Sequence, residues 1–259
     1  MPELPEVEIT TRKLTPLLKG KRILLARRKG GNLGWEKVFG VERRGKAILI
    51  WLASPYLLAF HMRMSGKLLV VERGAGDKHI RNRFKLSNGK DLVFHDVRKF
   101  GVVWYGPAGK VFKDNYFKTL GPDALAISFA ELKNILGGKG GKIKAFLLNQ
   151  HNIAGIGNIM ADEILWYAKI HPETRIQNLK DSQIKKLWAS LKFILNRSIK
   201  LGGSTMRDWL HPGGEEGGYF KKRFVYGRGG GKCFRCKSKI LRKKIAGRSG
   251  YYCAKCQKP

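Results

Sequence analysis

The chain has 259 residues, enough for two domains that each bury a core, and its 43% hydrophobic and 27% charged content is that of a soluble globular protein. No apolar run approaches the roughly 18 residues that span a bilayer, and the N-terminus lacks the charged and apolar regions of a secretion signal, so a cytoplasmic protein with no membrane partner is expected. Fifty-two Lys and Arg against nineteen Asp and Glu give a net charge of +33; a polyanion relieves such self-repulsion, which favours nucleic acid over an anionic membrane surface, for which the chain has no amphipathic anchor.

In chain order, the first stretch is MPELPEVEIT, which sets Glu3, Glu6 and Glu8 against the basic character of everything after it. Pro5 and the acidic residues suit a first helical turn, and Val7, Thr11, Leu14 and Leu18 recur at helical spacing until Gly20. Short β-rich runs follow: AILIWLAS, LLAFHMRM and KLLVVE, then RFKLSNGKDLVFHD with Asn88-Gly89 as a hairpin turn, then GVVWYG. Residues 1 to about 112 therefore predict one helix on an antiparallel β-sandwich.

After Gly121-Pro122 the period changes. Ser128 and Glu131 form a capping-box pattern ahead of FAELKNIL. Further helices are predicted over KIKAFLLNQ, from Asn158 in GNIMADEILWYAKI, and over SQIKKLWASLKFILNRSIKL. Between the second and third lies NIAGIGN, whose glycines permit a tight turn that would point helix N-terminal amides at a phosphate; by itself the motif also fits a plain helix connection. Gly202–Gly218 predicts a flexible loop.

Cys233, Cys236, Cys253 and Cys256 are the only cysteines, spaced C-x2-C, sixteen residues, C-x2-C. Four thiolates at this spacing suit tetrahedral zinc with no position left for water, hence one structural Zn2+; two disulfides are the alternative, disfavoured in a reducing compartment. From Gly217 to Pro259 there are fourteen Lys and Arg and no acidic residue.

With these parts in order, the chain resembles the bacterial formamidopyrimidine-DNA glycosylases of the Fpg/Nei family over essentially its whole length. The resemblance rests on PELPEVE after the initiator Met, RRGK at 43–46, HMRMSG at 61–66, DVRKFG at 96–101, GIGN at 155–158, GGSTMRDW at 202–209, GYF at 218–220, VYGR at 225–228 and GRSGYYCAKCQ in the finger. It implies an α+β protein: an N-terminal antiparallel catalytic β-sandwich with a flanking helix (1–112), a linker (113–127), a helix–two-turn–helix DNA-binding domain with a lesion-covering loop (128–224) and a β-hairpin zinc finger (225–259).

The resemblance also implies the chemistry. Met1 is removed and the secondary amine of Pro2 is the nucleophile. An α-amino group with pKa near 8 is roughly 10% neutral at pH 7, against less than about 0.1% for an ordinary lysine. Glu3 protonates the sugar ring oxygen, Glu6 holds the opened sugar, and Lys46 contacts the phosphate and lesion region; Glu8 has no implied role and is read as part of an acidic helix start. Asn158 and Arg248 grip the phosphates flanking the damaged site, and His61 lies on the DNA-facing surface or is a buried, satisfied histidine. Met64, Arg98 and Phe100 fill the gap left by an extruded nucleotide, although Met64 and Phe100 taken singly are as readily core residues.

The expected activity is a bifunctional glycosylase and AP lyase of base excision repair. It removes formamidopyrimidines and 8-oxoguanine from damaged double-stranded DNA by a proline Schiff base and β,δ-elimination, as a monomer in the bacterial cytoplasm at the nucleoid. The alternatives are a Nei-like enzyme preferring oxidised pyrimidines and a non-catalytic nucleic-acid binder, which would not need a free Pro2 amine. Two departures from the family pattern stand out: Gly250 where fingers usually carry Ser or Thr, which removes an expected phosphate contact, and the unusual loop LHPGGEEGG.

Overall fold

The structure is a computed structural model that describes residues 1–25, 34–205 and 209–258. Met206, Arg207 and Asp208 of the GGSTMRDW motif lie outside the described residues. The chain folds as two compact units, residues 1–118 with 201–220, and residues 119–200 with 221–259.

In the first unit, helix α1 (Leu4–Leu18) precedes eight strands: β1 (Arg22–Leu25), β2 (Gly34–Arg44), β3 (Ala47–Leu52), β4 (Tyr56–His61), β5 (Lys67–Glu72), β6 (Ile80–Lys85), β7 (Lys90–His95) and β8 (Val102–Pro107). They form two antiparallel sheets, ordered β1-β2-β3-β4-β8 and β5-β7-β6. Val7, Leu14 and Leu18, the residues at helical spacing, are fully buried and pack with Ile48, Ile50, Leu58, Phe60 and Phe94 in the sandwich core. The Asn88-Gly89 turn joins β6 to β7, with Gly89 at φ +85° and Leu86 N donating to Lys90 O at 2.9 Å.

β3 is apolar without alternation because both of its faces are covered. One faces the core, and on the other Trp51 meets Phe112 of helix α2 (Ala108–Phe112) at 5.8 Å between ring centroids. Within 113–127, helix α3 (Asn115–Lys118) buries Phe117 and holds Tyr116 against Trp104 of β8. Neither short helix has a clear periodic signal at four or five residues.

In the second unit, α4 (Phe129–Leu136) begins at the expected capping box, with Glu131 N donating to Ser128 Oγ at 3.2 Å and Ser128 N to Glu131 Oε2 at 2.8 Å. α5 (Ile143–Leu148), α6 (Asn158–Ala168) and α7 (Asp181–Lys200) follow, and strands β9 (Leu241–Ile245) and β10 (Arg248–Tyr252) pair as a hairpin. α6 packs against both α7 and β10. The α+β architecture with a β-hairpin finger is therefore present.

Residues 201–220 follow the helical segment in sequence yet pack with the sandwich. Glycine density predicted a flexible loop here, but its described part is held at several points. Trp209 enters the sandwich core. His211 Nε2 lies 3.0 Å from Gly202 O, Thr205 Oγ1 donates to Trp209 O at 3.0 Å, and Tyr219 N donates to Gly203 O at 2.8 Å.

Candidate active site

The site in the first unit is built on the start of α1. Pro2 is buried, Glu3 is the N-cap, and Pro5 occupies the first turn, where a missing N–H leaves nothing unsatisfied. Glu3 and Glu6 form a reciprocal capping box in which Glu3 N donates to Glu6 Oε2 at 2.8 Å. The other oxygen of Glu6 accepts from Ser204 N at 2.7 Å, so one carboxylate joins the helix start to the loop that packs beside it. Gly203 is required at that junction: its φ is +72°, and a Cβ there would stand 3.0 Å from Glu6 Oε1.

Both carboxylates are almost fully buried. Burial, and then the neighbouring Glu3 charge, pushes Glu6 up to about 7, against the pull of the backbone donors of Glu3, Ser204 and Glu6 itself. The folded chain thus holds a proton on Glu6 that an unfolded one releases near 4.5. The associated stability is present below about pH 4.5 and is lost as pH rises through 7. E6Q carries no such titration. Its melting temperature relative to the parent should rise from pH 5 to pH 8, equivalent to up to about 3 kcal/mol; a pH-independent difference would mean that Glu6 does not titrate in this range.

Glu8 has a structural task. Arg43 Nε and Arg12 Nε donate to its two oxygens at 2.8 and 2.7 Å. Burial raises its pKa, but the two guanidinium hydrogen bonds outweigh burial and leave it below the usual range. Arg43 is mostly buried and also donates to Gly45 O at 3.0 Å, so it bolts the RRGK turn to α1. That turn delivers Lys46, itself buried, whose backbone N donates to Tyr116 Oη at 3.2 Å.

Tyr116 also meets His61 edge-on at 5.0 Å, and His61 Nδ1 accepts from Arg63 N at 3.0 Å, which leaves the ring proton on Nε2. Burial, then the charges of Arg63 and Lys46, lowers His61 to about 3. Of the two readings for this histidine, the buried and satisfied one describes its surroundings. Its Cε1 proton should show no titration shift between pH 5 and 8 by NMR, whereas an ordinary histidine would titrate near 6.5. Because the folded pKa is depressed, this group's stabilisation is present above about pH 6.5 and is lost as pH falls toward 3.

Met64 and Phe100 are 45% and 52% exposed, which excludes the core reading for both. Arg98 lies over Phe100 with Cζ 5.0 Å from the ring centroid. Two residues that sequence reasoning missed hold these loops together. Ser65 Oγ donates to Asp96 Oδ1 at 2.5 Å, Arg98 N donates to Ser65 Oγ at 3.1 Å, and Gly101 N donates to Asp96 Oδ2 at 2.7 Å. The only available signal was an acid at the end of an apolar strand run, and nothing local said that it would turn inward.

The second unit brings Asn158 and the finger hairpin together across 90 residues. Asn158 opens α6 directly after Gly157 and donates from Nδ2 to Ser249 O at 2.9 Å, one residue from exposed Arg248. Its buried Oδ1 has no hydrogen-bond partner among the described residues. The GIGN turn is shaped by Gln150, which donates to Ile156 O at 2.8 Å and accepts from Gly155 N at 2.9 Å.

Beneath β10, fully buried Lys144 reaches Asp162 Oδ1 at 2.7 Å and Ser249 O at 3.1 Å, while Tyr251 N donates to Asp162 Oδ2 at 2.9 Å. Burial pushes Asp162 up to about 7, partly offset by Lys144. A Cβ at Gly250 would lie 3.0 Å from Lys144 Nζ and 3.1 Å from Ile245 Cδ1. Position 250 therefore faces this buried lysine, and a side chain there would point inward, away from the exposed face that carries Arg248. Glu163, also missed, accepts from the backbone N–H groups of Phe224, Val225 and Tyr226 at 2.7, 2.7 and 2.9 Å and so fixes the approach to the finger. The adjacent acids in ADEILW, inside an otherwise apolar helix, were the signal for both carboxylates.

The four cysteine sulfurs all lie within 4.8 Å of one another, with Cys236 and Cys253 at 3.4 Å and Cys233 and Cys256 at 4.0 Å. Tetrahedral zinc with bonds of about 2.3 Å needs sulfur separations of about 3.8 Å, so these four fit one structural zinc. Gln257 seats the finger, accepting from Cys253 N and donating to Ile170 O, both at 2.9 Å.

Fold and site together define a class: a β-sandwich with acidic groups buried at the N-terminal helix start, and a helix–two-turn–helix unit carrying a zinc finger. Three family models match it: the formamidopyrimidine-DNA glycosylase N-terminal domain over residues 1–103, the formamidopyrimidine-DNA glycosylase H2TH domain over 120–209, and the zinc finger found in FPG and IleRS over 230–259. The chain belongs to the formamidopyrimidine-DNA glycosylase family. The formamidopyrimidine-DNA glycosylase of Pelotomaculum thermopropionicum is 38% identical over 275 residues, spanning 100% of this chain and 99% of that protein. Among solved structures, the Lactococcus lactis Fpg bound to abasic-site DNA is similar at TM-score 0.89 and 34% identity, over 99% of this chain and 100% of that one. A mutant of the same enzyme bound to Fapy-dG-containing DNA is similar at TM-score 0.89 and 33% identity over the whole of both chains.

Proposed function

We propose that this protein is a bifunctional DNA glycosylase and AP lyase of base excision repair that removes oxidised purines, formamidopyrimidines and 8-oxoguanine, from damaged double-stranded DNA. The observation that carries this reading is the burial of two carboxylates, Glu3 and Glu6, in the residues that directly follow Pro2 at the start of α1. A helix start needs at most one acidic cap; a second carboxylate taken out of water beside the first is costly and suits a site built for chemistry.

Once Met1 is removed, the Pro2 nitrogen lone pair attacks C1′ while Glu3 donates a proton to the sugar ring oxygen. The bond from C1′ to the base breaks, the base departs with the bonding electrons, and an iminium links Pro2 to the opened sugar. That cation acidifies the C2′ proton. Its removal expels the 3′-phosphate, and a second elimination expels the 5′-phosphate. Glu6 is suited to hold the opened sugar, Lys46 to meet phosphate beside the lesion, and Asn158 and Arg248 to grip the flanking phosphates. One chain supplies every group that the reaction uses, so a monomer at the bacterial nucleoid suffices.

Borohydride should trap the mature protein on abasic-site DNA, with the adduct at Pro2 by peptide sequencing. An adduct on a lysine would overturn the mechanism. Intact mass should show Met1 absent, because acylated Pro2 is no nucleophile.

Met64, Phe100 and Arg98 are exposed on loops joined through Asp96, as insertion into a duplex requires. Arg98 can donate to O2 and N3 of an orphaned cytosine, whereas adenine presents a donor on its pairing edge. Excision of 8-oxoguanine should therefore be on the order of tenfold faster opposite cytosine than opposite adenine. R98A should lose most of that bias and keep cleavage of abasic sites; a variant that keeps the bias would reduce Arg98 to a phosphate contact.

A further inference from the structure

The C-terminal end of α6 and the first cysteine knuckle carry aromatic side chains that the reaction does not use. Tyr167 stacks on Phe193 of α7 with ring centroids 4.4 Å apart and planes 22° apart. Phe224 continues the row, 6.0 Å from Tyr167 and 6.5 Å from Phe234 of the knuckle. Arginines are interleaved with the rings. Arg228 lies 3.8 Å over Phe234, and Arg235 lies 5.4 Å over Tyr167 while donating to the last carbonyls of α6, Trp166 O at 2.6 Å and Tyr167 O at 2.9 Å.

The inner rings are explained by packing, since Phe224 and Tyr167 join the cluster beneath the finger. The two ends of the row are not. Phe234 is 56% exposed and Phe193 is 41% exposed. Rigid aromatic rings left in water with cations fixed beside them mark a binding surface better than a core.

Charge selects the partner. There is no acidic residue from Ser182 to Lys200, the stretch that carries Phe193, and none from Gly217 to Pro259, which carries Phe234. An anionic chain bearing flat rings is the complement of such a surface. A duplex does not qualify, because its bases already stack on one another, whereas a single strand offers free π-faces between its phosphates. The row also lies about 13 Å along α6 from Asn158, nine residues at roughly 1.5 Å each, so it is not part of the Asn158 and Arg248 pair.

We propose that this aromatic and arginine row is a stacking platform for single-stranded nucleic acid, in addition to the duplex site. Bases would lie on Phe234 and Phe193, with phosphates against the flanking cations.

The test uses the full-length, zinc-loaded protein and fluorescence anisotropy. Two labelled probes are compared, a twelve-nucleotide oligo-dT and a chain with the same number of phosphates joined by propane-1,3-diol in place of every nucleoside, which offers neither a base nor a sugar to the lyase site. Oligo-dT should bind about tenfold or more tightly than the baseless chain. The double variant Phe193→Ala/Phe234→Ala should bring the two affinities together, while affinity for duplex DNA with an abasic site stays unchanged. Phe234→Leu, which keeps apolar bulk without a π-face, should lose part of the difference with no change in melting temperature. The proposal is overturned if the parent protein binds both probes equally, as it would if the row served an acidic protein partner. It is overturned as well if the double variant keeps the preference, or if Asn158→Ala alone removes it.

Discussion

Replacing Glu3 by glutamine should slow release of an oxidised purine by about 10²- to 10⁴-fold, the usual range for losing a general acid, while strand cleavage at a preformed abasic site falls much less. The two steps differ in their need for a proton. Expelling the base requires the ring oxygen to be protonated as C1′ is attacked, whereas an abasic sugar already opens to an aldehyde that condenses with an amine directly. The substitution suits the purpose because glutamine still offers an oxygen at the N-cap, so α1 keeps its start and its buried partner Glu6. Single-turnover rates on 8-oxoguanine DNA and on abasic DNA separate the steps. Equal slowing of both would show that Glu3 only positions Pro2, and an unchanged glycosylase rate would remove Glu3 from proton transfer altogether.

The second large effect is expected on removing zinc, or on Cys253→Ser. Either should unfold the β9–β10 hairpin, because the four thiolates are the closing element of a small cluster with Trp166, Val225 and Ile240. Two proposed phosphate contacts would go together: Arg248 is carried on the hairpin, and Asn158 loses the Ser249 carbonyl that orients its amide. Lys144 loses the same carbonyl and Asp162 its bond from Tyr251 N, so the damage extends to the base of α6. Each charge-assisted contact contributes about 1.5–3 kcal/mol, so affinity for abasic-site duplex should fall by on the order of a hundredfold or more. Its dependence on log salt should flatten by roughly one unit, at about 0.9 per phosphate neutralised, because of the two contacts only Arg248 is a cation. R248A should reproduce most of the flattening with the finger intact. Zinc-free protein that binds with parental affinity and slope would take the finger out of the interface.

Much of this molecule was legible from its residues because the decisive signals are local. The α1 spacing of Val7, Leu14 and Leu18, the Ser128–Glu131 capping box, the Asn88-Gly89 turn and the C-x2-C pairs each act within a few residues, where backbone geometry and side-chain chemistry suffice. The start of α6 at Asn158 was legible for the same reason, since Gly157 precedes it as a break in an otherwise helical stretch. Resemblance in nine short motifs then joined the pieces into one family.

What chain order could not reveal was which polar groups are taken from water. Nothing in PELPEVE says that Glu6 will be buried and reach Ser204, 198 positions away, or that Glu8 will be taken by Arg43 rather than left in solvent. Asp96, Asp162 and Glu163 each turn inward to organise a loop, a strand or the approach to the finger. Nothing local to Gly250 says that Lys144 lies behind it. The physical reason is common to all of them. A buried charge is tolerable only where donors and counter-charges converge on it, and that convergence is made by chain segments far apart in sequence. The amino-acid sequence by itself determined the strongly patterned elements and the metal site; only the tertiary structure revealed β1, β2, α2 and α3 and decided which carboxylates are buried and to what they are bound.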